Sequence, residues 1–199
     1  MPEAGRVIAG SARGIRLAAP GPGTRPLGDR VKQTLFAVLE PDLPGARVLD
    51  LFAGSGAAGI EALSRGAAAA LFVERDAAAS RVIEANLART RLAGAARVIR
   101  SDAIAYLAGP AATDGPFDVV ILDPPYAEAD LLVRALERLG DPAAALLAPG
   151  ARVVAKHFWR PGPPAHAGLL ASERERRFGE TALTFYRAGP PPSREAEAG

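Results

Sequence analysis

From Arg47 to Lys156 the chain alternates short apolar runs with stretches of helical period, and no other feature restricts its fold as much. The apolar runs are Arg47–Leu51, Ala70–Glu74, Ala96–Arg100, Phe117–Leu122 and Ala151–Lys156. Between them, Ala57–Arg65, Ala77–Arg91, Ala103–Ala108 and Ala129–Leu139 carry helical patterns. A strand as uniformly apolar as Val119-Val120-Ile121-Leu122 is buried on both faces, which is how parallel strands under helices read. The alternation predicts an α/β fold: a Rossmann-like, mostly parallel seven-stranded sheet with helices on both faces. In Ala77–Arg91 the expected inner residues are Val82, Ile83, Leu87 and Ala88, with Arg81, Glu84, Arg89 and Arg91 outside.

The flanks read differently. Ser172–Arg177 and Thr181–Tyr186, joined by Phe178-Gly179-Glu180, predict an antiparallel hairpin at a sheet edge. Residues 1–28 are rich in Gly, Pro and Arg, and form an arm. Within it Arg6-Val7-Ile8 and Ile15-Arg16-Leu17 flank Gly10 to Gly14 as a small hairpin. Asp29 is the expected N-cap of a helix running to Leu39. The main domain is therefore residues 29–188. Residues 189–199 cannot bury apolar area, and a disordered tail is expected.

Charge is unevenly placed. Residues 1–32 hold Arg6, Arg13, Arg16, Arg25, Arg30 and Lys32 against only Glu3 and Asp29. A basic arm beside a near-neutral body predicts contact with nucleic-acid phosphates. There is no cysteine, and His157 and His166 are the only histidines, so no metal site is expected. No run approaches the ~18 apolar residues of a membrane span, and the first residues lack a signal-peptide pattern. A cytoplasmic monomer is the expectation.

Two motifs carry chemistry. Asp50-Leu51-Phe52-Ala53-Gly54-Ser55-Gly56-Ala57-Ala58-Gly59 follows the first strand and contains G-x-G-x-x-G leading into a helix. By itself this suits a dinucleotide or S-adenosylmethionine. The acids decide between them. Asp50, Glu74, Asp102 and Asp123 each stand at or just after the end of successive strands, so one rim collects four carboxylates. A nucleoside bearing an amino acid and no phosphate needs such acceptors: Asp50 for an ammonium, Glu74 for ribose hydroxyls, Asp102 for an adenine amine. Phe52, Ala53, Ser55, Arg75 and Ala103 fall beside the same rim.

The second motif is Asp123-Pro124-Pro125-Tyr126. Asp123 can accept from an amino group. The prolines donate no N–H, which leaves nearby carbonyls free as acceptors. Tyr126 can stack on a flat ring. Together these suit a planar base with an exocyclic amine.

With these residues in place, the chain resembles class I S-adenosylmethionine-dependent methyltransferases, and within them the bacterial 16S rRNA (guanine-N2)-methyltransferase family RsmD. The resemblance rests on Arg6-Val7-Ile8-Ala9-Gly10, on Arg25-Pro26-Leu27-Gly28-Asp29-Arg30-Val31-Lys32-Gln33-Thr34-Leu35-Phe36, on Gly59-Ile60-Glu61-Ala62-Leu63-Ser64-Arg65-Gly66-Ala67, and on the two motifs. It spans roughly residues 6 to 187. It implies methyl transfer to a guanine N2 of 16S ribosomal RNA or the small subunit, with Asp123, Pro124, Pro125 and Tyr126 at the reacting amine. Two departures stand out. Leu27-Gly28 replaces a usual Thr-Thr, and Lys156-His157 replaces a usual acid. Three other readings fit part of the pattern: methylation of adenine N6 or of a protein glutamine, a nicotinamide-dependent oxidoreductase, and a non-catalytic RNA-binding relative.

Overall fold

The computed structural model describes residues 3–21, 28–109 and 111–190. Its order is β1 (Glu3–Arg6), β2 (Arg16–Ala18), α1 (Asp29–Leu39), β3 (Arg47–Leu51), α2 (Ala57–Ser64), β4 (Ala69–Glu74), α3 (Ala77–Thr90), β5 (Ala96–Arg100), α4 (Ala103–Ala108), α5 (Ala111–Asp114), β6 (Phe117–Leu122), α6 (Ala129–Gly140), β7 (Leu147–Phe158), β8 (His166–Ala167), β9 (Leu170–Phe178) and β10 (Thr181–Ala188). The main sheet runs β5-β4-β3-β6-β7-β10-β9-β8. Its first five strands are parallel, and β10, β9 and β8 extend it antiparallel. The expected seven strands are all present. The two-residue β8 adds an eighth, too short to leave a periodic signal.

Strand order reverses between β3 and β6, which are hydrogen-bonded neighbours although residues 52–116 separate them. A crevice opens at such a switch point, outside the carboxyl ends of the strands. Two apolar layers hold the sheet. One packs α1, α2, α3 and the arm on one face. The other packs α4 and α6 on the opposite face.

The arm is docked onto the body. Its backbone amides at Ile8 and Ala9 donate to the two oxygens of Glu61 on α2, at 2.7 and 3.0 Å. Ser11 N–H donates to the Ser64 carbonyl at 2.8 Å, and a Cβ at Gly10 would fall 1.7 Å from that same oxygen. Only glycine allows this approach. On α3, Asn86 is fully buried. It accepts from Ala18 N–H at 2.9 Å and donates to the Ala18 and Ser55 carbonyls.

Three expectations are corrected. The residue before α1 is Gly28, with no side-chain cap; Asp29 is the first helical residue, 3.8 Å from Arg6. A carboxylate there still complements the helix dipole. On α3 the buried residues are Ala79, Ser80, Ile83, Asn86, Leu87 and Thr90, whereas Val82 is half-buried and Ala88 exposed, because the arm draws the buried stripe toward Asn86. Lys32, read as a phosphate ligand, is only 1% exposed. Its ammonium donates to the Arg6 carbonyl and lies 3.6 Å from Glu61. The expected tail falls on residues 189–199, of which 191–199 lie outside the described residues.

Candidate active site

A cavity of about 710 Å³ opens at the switch point. The glycine loop forms one side and the strand ends the floor. Among its lining residues are Asp50, Glu74, Asp76, Asp102 and Asp123, against the cations Arg75 and Lys156. That excess of carboxylate suits a cationic ligand and opposes a pyrophosphate.

The loop folds as it does for local reasons. Gly56 has φ 76°, a left-handed value that costs a glycine little. A Cβ at Gly59 would lie 2.3 Å from the Phe72 ring, so helix α2 packs on β4 only because that position is bare. Gly56 and Gly59 thus shape the loop without lining the cavity, whereas Phe52, Ala53, Gly54 and Ser55 do line it. Phe52 has φ 70°, an uncommon conformation for a bulky residue. Strain of this kind collects at functional sites.

The acids are held by backbone amides. Glu74 accepts from Gly54 N–H at 2.8 Å and Asp76 N–H at 2.9 Å, one per oxygen. Each carboxylate oxygen keeps a further lone pair for a ligand hydroxyl. Asp102 caps α4 through Oδ1, at 2.9 Å from Ile104 N and 3.0 Å from Ala105 N. Asp50 Oδ2 accepts Gly59 N–H at 2.8 Å beneath the loop. Burial pushes the Asp50 carboxyl up to about 7; Gly59 opposes the shift, and Asp123 and Glu74 add to it.

At the far side Lys156 Nζ donates to Asp123 Oδ1 at 2.6 Å. The ammonium also sits 5.2 Å from the Tyr126 ring centroid. Burial pushes the Asp123 carboxyl up, and Lys156 opposes that. Tyr126 Oη is 2.7 Å from Thr181 Oγ1, which braces the ring against β10. Arg75 lines the rim but forks onto Glu128 at 2.6 and 3.2 Å. The acceptor set and the glycine loop fit S-adenosylmethionine: Asp50, Glu74 and Asp102 could accept from its ammonium, hydroxyl and amine groups.

Residues 5–187 match the family described as Conserved hypothetical protein 95. The chain is 40% identical to ribosomal RNA small subunit methyltransferase D of Escherichia coli K12, over 91% of this chain and 88% of that protein. The protein belongs to the RsmD family. Solved structures agree: yhhF from Escherichia coli superposes with TM-score 0.81 at 39% identity, covering 92% of this chain and 97% of that one. A hypothetical protein from Thermus thermophilus gives 0.76 at 34%, covering 90% and 97%. The fold is the class I methyltransferase fold.

Within this RsmD-family chain, sequence reasoning missed the two braces of the candidate site. Thr181 lies on a hairpin strand that shows no motif. Lys156 stands out in the sequence only as a departure, yet it has a signal. Leu122 pairs with Ala155 in register, so the residues after them, Asp123 and Lys156, are brought side by side. Of the arm cations, Arg16 pairs with Glu3 at 2.8 Å, Arg13 and Arg30 are exposed, and Arg25 lies outside the described residues. Among the described residues no group of three His, Cys, Asp or Glu is placed to hold a metal, and no helix is long and apolar enough to cross a membrane.

Asp50 gives a pH prediction. Its folded pKa lies above the unfolded value of 3.8. The stability it allows is complete below pH 4 and is lost as pH rises toward 7, by about 4 kcal/mol at most. Asp50→Asn keeps an acceptor for Gly59 and removes the titration. Urea unfolding should show the variant gaining on the parent chain between pH 4 and pH 8. Parallel stability curves would mean that Asp50 binds no extra proton in the fold.

Proposed function

We propose that this protein transfers the methyl group of S-adenosylmethionine to the exocyclic N2 of a guanine in 16S ribosomal RNA. The observation that carries the reading is the pairing at the switch point: the glycine loop and its acids on one side of the cavity, and Asp123 with Tyr126 on the other. The E. coli relative's role as a ribosomal RNA small subunit methyltransferase supports the substrate class.

When bound, S-adenosylmethionine supplies an activated sulfonium methyl group. What the chain adds is positioning and acceptance. The lone pair of a guanine amine is delocalised into the ring and is a poor nucleophile. Asp123, as a carboxylate, accepts the amine N–H bonds and localises that lone pair. Lys156 offsets the burial cost of the charge on Asp123. The Pro124 carbonyl provides a second acceptor. Tyr126, held by Thr181, provides the stacking face, worth about 1–3 kcal/mol. A base within a helix cannot reach this cavity, so the target is unpaired or flipped out.

The Lys156–Asp123 pair, one donor beside one acceptor, is also complementary to the N1/N6 edge of adenine. Tritiated-methyl assays on small-subunit rRNA, small subunits and duplex DNA, followed by nucleoside mass spectrometry, separate the two. N2-methylguanosine is the expected product. N6-methyladenosine, or labelling of DNA alone, would overturn the guanine assignment.

A further inference from the structure

We propose that the tip formed by Phe158, Trp159 and Arg160 at the end of β7, with Arg176 and Arg177 of β9, holds the single-stranded RNA that flanks the reacting base. This rests on the reading above and names where that site takes its polymer.

Phe158 is 38% exposed, the most exposed large hydrophobic side chain among the described residues. Leaving such a ring in water is unfavourable, and it is not isolated. Its ring stands edge-on to Tyr126, with centroids 6.2 Å apart and planes at 62°. It pairs in register with Thr181, whose hydroxyl meets Tyr126. An apolar face therefore continues from the cavity onto the outer surface.

Trp159 is the next residue along the chain and so turns to the other side of the same tip, where it carries the charge. The Arg177 guanidinium carbon lies 3.5 Å from its ring centroid, and that of Arg160 lies 4.2 Å away. Arg177 also donates to the Gly179 carbonyl at 2.8 Å, which fixes the guanidinium on the ring. Among the described residues no carboxylate pairs with Arg160, Arg174, Arg176 or Arg177. Glu173, on the same strand, is already neutralised by Arg152 and Arg187. Glu175 and Glu180 remain as local opposition, and the four arginines outnumber them.

The arm offers less than its composition suggests. Arg6 faces Asp29, Arg16 is paired with Glu3, and Lys32 is buried on Glu61. At the tip the arginines have no carboxylate partner among the described residues, and the Phe158 ring is exposed. Guanidinium and aromatic planes interleaved beside a base-sized cavity are what a single strand requires: cations for phosphates, and π-faces that accept any base. A duplex, whose bases are already stacked, needs no such exposed ring.

The test uses the full chain and a fluorescent single-stranded RNA of mixed sequence, with anisotropy read across a salt series. Replacing Arg160, Arg176 and Arg177 by Ala should lower affinity at least tenfold. The slope of log K against log salt should flatten by about 2, at roughly 0.7 per lost contact on a single strand. Arg13→Ala with Arg30→Ala should flatten it less. Phe158→Ser, outside the buried core, should raise the KM for RNA while calorimetric affinity for S-adenosylmethionine stays unchanged and the thermal midpoint falls by only a few degrees. A slope equal to the parent's in the triple variant overturns the proposal, whether RNA is then held by the arm or the tip serves a protein partner. If the parent chain binds RNA through the tip but forms no N2-methylguanosine, the catalytic reading fails and the surface stands.

Discussion

Asp123→Ala should lower methyl transfer by about 10²–10³ or more, the usual cost of removing one preorganised hydrogen-bonding partner from a reacting centre. Cofactor affinity, measured by calorimetry, should stay within a few fold. In the proposed function Asp123 serves the methyl acceptor, whereas Glu74, Asp102 and the glycine loop, which line the same cavity, serve the cofactor. The variant also leaves the Lys156 ammonium without its 2.6 Å partner. Asp123→Asn keeps an oxygen there and separates the two effects. If lost charge pairing were the cause, Asn would be as impaired as Ala; if acceptance of the amine is the cause, Asn should retain part of the rate. Turnover in Asp123→Ala equal to the parent chain would remove Asp123 from the mechanism.

Glu61→Ala should cost about 3–5 kcal/mol of stability, because it leaves a buried lysine unpaired and strips two arm amides of their acceptors. Glu61 is fully buried and meets Ile8 N–H, Ala9 N–H and Arg65 Nε at 2.7, 3.0 and 2.9 Å, with Lys32 at 3.6 Å. Burial pushes the Lys32 ammonium down, and Glu61 is the largest opposing influence. In a domain of this size the loss corresponds to a fall in thermal midpoint of roughly 6–20 °C. Differential scanning calorimetry reads it directly. A shift of under a degree would mean that Glu61 adds nothing to the other contacts that hold the arm. Lys32→Met in the Glu61→Ala background should restore part of the loss, since the unpaired charge goes with it.

Both variants concern features that local sequence shows unequally. The parallel sheet was legible because strands buried on two faces, such as Val119 to Leu122, leave no polar alternation to confuse them. The four acids were legible because a parallel sheet puts every strand end on one rim. What escaped was set by partners distant in the chain. Lys32 reads as a solvated cation until α2 brings Glu61 beneath it. Asn86 has no place in the apolar stripe of α3 and is buried because the arm covers it. Asp29 suits an N-cap or the first turn equally well, and position alone does not choose. Lys156 meets Asp123 only through the β6–β7 register, which turn lengths and a bulge decide.

Asn86 has one more consequence. Its carboxamide spans the Ala18 carbonyl of the arm and the Ser55 carbonyl of the glycine turn at 2.9 and 3.0 Å. A single planar group thus serves as a rivet through two layers, and the turn borrows its rigidity from a segment well upstream in the chain. Trimming the N-terminal hairpin would therefore not yield a smaller version of the same catalyst. It would slacken the glycine loop from behind, and the amide of Gly56, bonded to the Ala53 carbonyl at 2.7 Å, would exchange with deuterium sooner than in the full chain.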